Sequence, residues 1–315
     1  MSTTQTCLTA QKNLGLPNCL VVADITKQLV LVNYYKDDGA VNGIDLSTLT
    51  SGVLSSVEWN ALINDLNAAN RFYLTPKLNL VTDVREDEVT EDVGGGVAIP
   101  VRDGSRTFEG HIIKGDPTLL GNLNGWKGKT IGAFFIDKSG NLIGNGATDG
   151  FLYPIRIEKD TFFNMLIKGG DDTVQKVKIK FQISELEKDE NIGMIDNTKI
   201  TADILNSRGL LDVISDSTDN ISLTTFDVEL NTMFGGVTNK IPAEGLELAD
   251  FHVFNETTSL AVVPASVTEN VGSTLNYSFV FAAQTSGDIL RISNKITGTL
   301  DKGYDIETFY ITIVT

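Results

Sequence analysis

The amino-acid sequence predicts a mainly β protein in which a β-sandwich or half-barrel module, carrying one or two packed helices, precedes a second β-sandwich. Two observations lead to this fold class. Short apolar segments with alternating polar residues recur along the chain between turn residues, whereas only two segments carry the signals that start a helix. The length of 315 residues suits two domains, and 41% hydrophobic residues are enough to form their cores.

The first 70 residues predict strands followed by a helix. Two apolar runs, at 20–22 and 29–32, indicate short strands or one buried strand pair. A helix is predicted over 56–70, because Ser55 and Glu58 fit a capping box that satisfies free backbone N–H groups at a helix start. Trp59 is expected on the flank of this helix, and its apolar face is expected to comprise Val57, Leu62, Ile63, Leu66 and Ala69.

The segment 84–106 is the most unusual part of the sequence. It follows a strand predicted at 71–80 and joins an acidic run to three consecutive glycines. This composition predicts a mobile, solvated hairpin tip of about twenty residues, well beyond the usual length of a hairpin loop. Long loops inside compact domains are commonly functional or disordered, so we expect a function for this one.

A second short helix is predicted where Asp116 supplies the N-cap and Pro117 the first helical position. Gly125 is expected to end this helix in a left-handed conformation. Further strands are predicted at the following positions: 130–137, 141–144, 151–158 and 161–168.

Residues 176–183 alternate between apolar and polar side chains, which predicts a strand with one face in a core and one face in water. The polar face carries Lys176, Lys178 and Lys180. Two interpretations of this lysine row remain open: a solvated face that protects a sheet edge, or a surface that lines something acidic.

The domain boundaries follow from composition. The first module is predicted to span 1–195, and 196–219 is predicted to be a connector with a short helix near 201–206. The second module, 220–315, contains short β segments at intervals of about ten residues, which is typical of a sandwich.

The charge and the rare residue types exclude several classes of partner. The formal net charge of −16 repels nucleic acid, and it indicates either simple solubility or a surface that stays near DNA without binding it. The two cysteines, Cys7 and Cys19, are not at ligand spacing with either histidine, so no metal site and no cofactor are predicted. We expect both to be reduced thiols.

No catalytic residues are predicted. The two histidines, His111 and His252, lie in separate modules within predicted strands, and no nucleophile or phosphate-binding motif accompanies them. A pair of catalytic carboxylates stays open, because acidic residues are plentiful and none is marked by a motif. The chain start lacks a signal-peptide pattern and no apolar run approaches the roughly 20 residues of a membrane span, so we expect no membrane partner.

Two family resemblances follow from longer stretches of sequence. Residues 70–195, with PKLNLVTDVREDEVTED, VRDGSRTFEG, AFFIDKSGNLIG and KVKIKFQISELEKDE, resemble virion proteins of tailed phages of Bacteroidota, in particular tail-tube or tail-ring subunits. Residues 220–315, with GLELADFHVFNETT and SVTENVGSTLNYSFVFAAQTSGDILRI, resemble bacterial and phage Ig-like domains.

The first resemblance implies a non-enzymatic virion subunit, assembled in the host cytoplasm, that forms homo-oligomeric rings or tubes with other virion proteins while DNA passes nearby without specific binding. The loop 84–106 would stack one ring on the next. The assembly residues that it implies are Arg85, Glu86, Asp87, Glu88, Glu91, Asp92, Gly94, Gly95, Gly96 and Arg102. The alternative is a head-decoration or fibre-type module that binds a host surface.

Overall fold

The fold was analysed in a computed structural model that describes residues 22–146, 149–235, 240–271 and 275–314. Backbone contacts divide the chain into two compact units. The first contains the described residues up to 63 together with 67–208, and the second contains 64–66 and the described residues from 209 onwards. Cys7, Cys19 and most of the strand predicted at 20–22 lie outside the described residues.

Among the described residues, a larger sheet, a smaller sheet, a separate two-stranded ribbon and two α-helices form the first unit. Its elements are β1 (Thr26–Asn33), β2 (Ile44–Asp45), α1 (Ser56–Ile63), β3 (Tyr73–Leu74), β4 (Leu78–Arg85), β5 (Val89–Asp92), β6 (Ala98–Arg102), β7 (Arg106–Ile113), α2 (Pro117–Asn124), β8 (Ile131–Asp137), β9 (Leu142–Gly146), β10 (Phe151–Tyr153), β11 (Ile155–Arg156), β12 (Phe163–Ile167), β13 (Lys176–Ile183) and β14 (Ile192–Ile195). The larger sheet runs β2-β10-β9-β8-β1-β3, with β11 on β8 and β14 on β9, and the smaller runs β12-β13-β7-β4. No helix among the described residues is long and apolar enough to cross a membrane.

The antiparallel pair β1–β8 is buried on both faces and separates two apolar cores. All seven residues of β8 are buried. On one face Leu29, Leu31 and Phe135 pack against the smaller sheet through Phe108 and Phe181. A second set of side chains forms the core on the opposite face: Val30, Val32, Phe134 and Ile136 of the pair, with Trp59, Ile63 and Phe72. The unit is therefore layered as sheet, sheet and helix.

Helix α1 begins with the predicted capping box. The Glu58 carboxylate accepts from the Ser55 backbone N–H at 2.7 Å, and the Ser55 hydroxyl accepts from the Glu58 N–H at 3.3 Å. The helix is shorter than predicted, ending at Ile63, and its inward face also differs. Trp59 is buried and donates to Ser207 at 2.9 Å, whereas Val57 is exposed. Trp59 and Ile63, four residues apart, share one face, which leaves Val57 on the outside.

Helix α2 begins as predicted, because the Asp116 carboxylate accepts from the Leu119 N–H at 2.8 Å. Its end differs: Gly125 has φ −62° and stays right-handed. The left-handed glycine is Gly128, at φ +75°, one turn later. Leu123 is buried in the core between the two sheets, so α2 packs against the module as α1 does on the other side.

Several predicted boundaries differ in the structure. The strand 176–183 forms as predicted, but it pairs with β12 and β7 on its two sides, so its lysines do not protect a sheet edge. The strand predicted at 71–80 is two strands, β3 and β4, and 151–158 is broken at Pro154, which has no N–H for a sheet. Residues 201–206 form turns rather than a helix.

The stretch 196–219, predicted as a connector, is divided between the two units. Residues up to 208 belong to the first unit, and residues from 209 belong to the second. The strand over 211–219 pairs with neighbours on both sides, so its polar sequence reflects a half-exposed strand rather than a linker.

The second unit is a β-sandwich. Its strands are β15 (Leu211–Asp219), β16 (Thr225–Gly235), β17 (Lys240–Pro242), β18 (Phe251–Asn255), β19 (Leu260–Val262), β20 (Ser266–Val271), β21 (Leu275–Val280), β22 (Ile289–Asn294), β23 (Tyr304–Ile306) and β24 (Phe309–Thr312). One sheet runs β20-β21-β16-β15-β23, with β17 on β16, and the other runs β19-β18-β22-β24. The predicted fold class is confirmed: the chain is mainly β, and a sandwich module with packed helices precedes an Ig-like β-sandwich.

Tyr277 anchors the core of this sandwich. Its ring is fully buried with Phe279 and Phe281, and its hydroxyl donates to the Ala243 carbonyl at 2.6 Å. Burial raises the pKa of Tyr277 to about 12. The hydroxyl therefore stays protonated and keeps its partner at all physiological pH values.

The α1 capping box predicts a pH-dependent loss of stability. Hydrogen bonds from the Ser55 side chain and from the Thr50 backbone lower the pKa of Glu58 to about 2 from its ordinary value of 4.5. Glu58→Gln should lower the free energy of unfolding by about 1 kcal/mol at pH 7. Because the folded pKa is the lower one, this difference should be present above the unfolded pKa and vanish as the pH falls towards about 2.

Urea unfolding followed by circular dichroism at several pH values measures this difference. Glu86→Gln is the matched control, because Glu86 is exposed and its carboxylate caps no helix. A difference that is equal at pH 7 and at the acid end would contradict the capping explanation.

Candidate assembly site

The segment 84–106 forms a two-stranded ribbon that projects from the smaller sheet of the first unit. Strands β5 and β6 pair only with each other among the described residues, and β4 and β7 carry the chain into and out of the ribbon. Glu91 lies opposite Ile99, and Asp92 lies opposite Ala98. The segment is a solvent-exposed hairpin, as predicted, but what the sequence predicts as a tip of about twenty residues is mostly extended and paired.

The tip of the ribbon requires its glycines for conformational reasons. Gly94, Gly95 and Gly96 have φ of +92°, +68° and +76°, a region that other residues adopt at a cost. The turn is closed by Val93 N–H donating to the Val97 carbonyl at 3.1 Å. A Cβ at any of the three would meet nothing within 4 Å, so backbone conformation and not crowding selects glycine.

The base of the ribbon is a close approach of two backbones. The Glu86 N–H donates to the Ser105 carbonyl at 2.9 Å. A Cβ on Gly104 would lie 1.8 Å from the Glu86 carbonyl oxygen, so no larger residue fits at 104 without moving the chain. In the sequence, the turn pair Asp103-Gly104 marks this position. Neither residue is among the predicted assembly residues.

Five charged side chains form an ion cluster beside this base, defined as Asp83, Arg85, Asp103, Arg106 and Asp189. Arg106 binds Asp83 through two hydrogen bonds, at 3.0 and 2.7 Å, and also contacts Asp189 at 3.1 Å. Arg85 contacts Asp189 and lies 3.3 Å from Asp103. Two forked arginines sharing one carboxylate restrict the angle at which the ribbon leaves the sheet.

The other predicted charged residues lie along the ribbon and face water. Glu86, Asp87, Glu88 and Glu91 are exposed and form no ion pair within the described part of the chain. Asp92 accepts from the Gly94 N–H at 2.9 Å and so supports the tip. Arg102 contacts Glu185 at 3.4 Å with both side chains largely exposed, which is a weak interaction.

One face of the ribbon is apolar. Residues opposite one another or two apart share a face, so the register, which shifts between Val89 and Thr90, places Glu91, Arg102 and five exposed apolar residues together. The apolar residues are Val89, Val93, Val97, Ile99 and Val101, which are 43–61% exposed. The other face carries Thr90, Asp92, Ala98 and Pro100. Exposed apolar clusters on a soluble unit commonly mark interaction surfaces.

The two edges of the ribbon are not equivalent. The Val93 N–H donates a ladder hydrogen bond to the Val97 carbonyl. Because such pairs alternate along an antiparallel ladder, the nitrogen of Pro100 points away from β5, towards the free edge of β6. Proline has no N–H, so this edge lacks a donor that the edge of β5 retains.

A small cavity adjoins the cluster. The cavity lined by Arg106, Glu187 and Asp189 has a volume of about 10 Å³, which holds one water molecule. Burial raises the pKa of Glu187, whose carboxylate accepts from the Arg156 N–H at 3.1 Å. His111 lies in β7 with Nε2 3.4 Å from Glu109, and His252 lies in β18 of the other unit.

Comparisons with known proteins give little further information. No protein-family model matches the chain, and no curated protein matches it. Among solved structures, the N-terminal part of the bacterial S-layer protein SbsC aligns with 33% of this chain and 24% of that chain, at 16% identity and a TM-score of 0.24. The chain thus covers about a quarter of that structure. A likeness this low carries no argument.

The ion cluster predicts how the ribbon responds to mutation. Arg106→Gln removes the contacts to Asp83 and Asp189, so the base of the ribbon should open more often. Cleavage after Glu86, Glu88 and Glu91 by a glutamate-specific protease should accelerate by about three- to tenfold, as expected for the loss of about 1 kcal/mol of local stability. Limited proteolysis with mass spectrometry of the fragments measures this rate.

Arg102→Gln is the matched control, because it removes one positive charge and only the weak contact to Glu185. Equal acceleration in both variants would show that overall charge, rather than the cluster, governs opening.

Proposed function

We propose that this chain is a non-enzymatic structural subunit of a tailed-phage virion, which forms stacked rings of the tail tube or of a tail-associated ring through which DNA passes. The observation that carries the proposal is the projecting ribbon, with its apolar face and ion-paired base. The proposed location in a virion rests on the sequence resemblance of 70–195 to tail subunits alone.

The energetics of the ribbon favour contacts in a large assembly over a simple dimer. Covering the five half-exposed valine and isoleucine side chains contributes roughly 5 kcal/mol, taking about half the value for full burial. Association costs about 4–15 kcal/mol before any contact is counted. The contribution of one ribbon contact lies at the low end of this cost, so it gives at most weak association, whereas a closed ring in which each subunit makes several contacts can be stable.

Sheet edges supply a second type of contact. In the smaller sheet of the first unit, β12 and β4 are the outer strands and have unpaired backbone groups on one side. Edge pairing between neighbouring copies would close a ring, and the ribbon would join one ring to the next. The net charge of −16 suits a channel that DNA passes without binding.

A second candidate function rests on the outer face of the sheet β19-β18-β22-β24 in the second unit. Phe254, Arg291 and Tyr310 lie side by side on three neighbouring strands of this face. The Arg291 guanidinium lies 5.2 Å from the Phe254 ring centre, and Tyr310 is 61% exposed. An exposed tyrosine ring and a half-buried phenylalanine ring beside a charged group favour ligand contact, which would suit a head-decoration or fibre-type module that binds a host surface.

Replacing the ribbon tests the assembly proposal. Glu86 and Ser105 are already hydrogen-bonded, so Asn-Gly in place of 87–104 would join them by a two-residue turn that suits a hairpin. Negative-stain microscopy and sedimentation velocity should detect rings or tubes for the natural chain and only single rings or monomers for the variant, with an unchanged circular dichroism spectrum. Stacked tubes from the variant would contradict the role of the ribbon.

A milder pair of variants separates the apolar face from the ribbon itself. Val97→Ser with Ile99→Ser should weaken stacking, whereas Thr90→Ser with Ala98→Ser on the opposite face should leave it unchanged. A natural chain that stays monomeric at high concentration would contradict the whole assembly proposal.

The second candidate is tested by glycan-array binding of the full chain. A specific glycan signal that Tyr310→Ala abolishes and Tyr35→Ala leaves unchanged would favour surface binding. Tyr35 is the control because its ring is also exposed, but it lies in the first unit.

A further inference from the structure

The smaller sheet of the first unit has an outer face, turned away from its core, with an ordered arrangement of side chains. The pairing of β12, β13, β7 and β4 aligns three rows across this face. The rows are Phe163–Lys180–Glu109–Thr82, Met165–Lys178–His111–Asn79 and Ile167–Lys176–Ile113. Along the strands, the side chains of this face form columns: an apolar column on β12 (Phe163, Met165 and Ile167) and a lysine column on β13 (Lys176, Lys178 and Lys180).

The lysine column is only partly neutralised within the subunit. Lys178 contacts Glu109 at 2.6 Å. Lys176 and Lys180 form no ion pair with any carboxylate in the described part of the chain. In the adjacent column, Phe163 and Met165 are 46% and 41% exposed. Positive charge therefore lies beside uncovered apolar surface, in the middle of a sheet rather than at its edge.

The apolar face of the ribbon has the complementary arrangement. Its β6 column contains Val97, Ile99 and Val101 and ends at Arg102, which lies opposite Val89 and contacts Glu185. Its β5 column contains Glu91 between Val89 and Val93. The exposed acidic residues Glu86, Asp87 and Glu88 precede β5. The ribbon thus has an apolar column on β6 beside a column with negative charge on β5. The sheet face has an apolar column on β12 beside a positively charged column on β13.

The spacings agree because both surfaces are β structures. Neighbouring strands lie about 4.8 Å apart, and side chains on one face of a strand repeat about every 6.8 Å. Two β surfaces with the same column pattern can therefore pack face to face with side chains interdigitated. The ribbon does not cover the face in its own subunit, because all residues of β5 and β6 are exposed.

We infer that the outer face of the sheet β12-β13-β7-β4 is the docking surface for the β5–β6 ribbon of a second copy of this chain. The valine and isoleucine column of the ribbon covers Phe163, Met165 and Ile167, and the acidic residues face Lys176 and Lys180. This inference rests on the proposed assembly and specifies the contact within it. It also assigns the row of lysines to a protein partner instead of to DNA.

A charge exchange between the two surfaces tests the contact in the full-length chain. The receiving variant carries Lys176→Glu and Lys180→Glu, and the ribbon variant carries Glu88→Lys and Glu91→Lys. All four side chains lack ion pairs in the described chain, so both variants should fold. Each alone should raise the concentration needed for assembly by more than about tenfold, and a chain carrying all four changes should return to within about threefold of the natural value.

The control variant carries Lys138→Glu and Lys159→Glu, which make the same charge change at exposed sites away from the sheet face. It should assemble as the natural chain does. Sedimentation velocity over a concentration series measures each assembly, and circular dichroism checks each fold.

The outcomes distinguish the docking surface from the assembly itself. If the natural chain assembles and the receiving variant assembles equally well, the docking surface is wrong while the assembly proposal stands. If both single-surface variants are impaired and the combined chain is not restored, the pairing of these two surfaces is overturned. A natural chain that never assembles overturns both proposals.

Discussion

The β1–β8 pair is the constraint on which the rest of the first unit depends. A strand pair buried on both faces must be covered by two separate apolar layers, because neither of its faces tolerates water. The smaller sheet supplies one layer and α1 with Phe72 supplies the other. Since the smaller sheet is fixed to the core by its inner face, its outer face and the ribbon that extends from β4 and β7 are left for contacts elsewhere.

The ribbon is a long insertion that has no core of its own, and contacts at its base hold its orientation relative to the smaller sheet. A two-stranded ribbon is marginal by itself in water. Here the backbone contact at Gly104 fixes its base, and the shared carboxylate of Asp189 connects the two arginines of β4 and β7. The side chains of the cluster are all at least partly exposed, so each ion pair contributes little alone, and the shared Asp189 carboxylate joins them into a network. The orientation of the ribbon is thus decided by the body of the unit rather than by the ribbon sequence.

Local signals in the sequence predicted local structure well. The Ser55–Glu58 pair, the Asp116–Pro117 start and the alternation of 176–183 each depend on neighbours within a few residues, and each forms. Signals that depend on distant partners were not predictable: Arg106 and Asp189 are 83 positions apart, and nothing in either neighbourhood marks the other. The acid and glycine content of 84–106 predicts a mobile tip because it resembles that of disordered segments, whereas strands of four and five residues are too short for alternation to reveal them. The number of apolar residues predicts that Val57 and its neighbours form the buried face of α1. The large side chain of Trp59 decides instead which face is buried.

Pro100 has a consequence for how the edge of the ribbon can pair with other chains. Unpaired strand edges can hydrogen-bond to one another repeatedly, and this pairing produces amorphous or fibrillar aggregates. One edge of the ribbon lacks a hydrogen-bond donor at Pro100, so the addition of further strands to this edge is interrupted there. Backbone pairing along this edge is therefore disfavoured, and the side-chain faces of the ribbon are left as its main surface for contact.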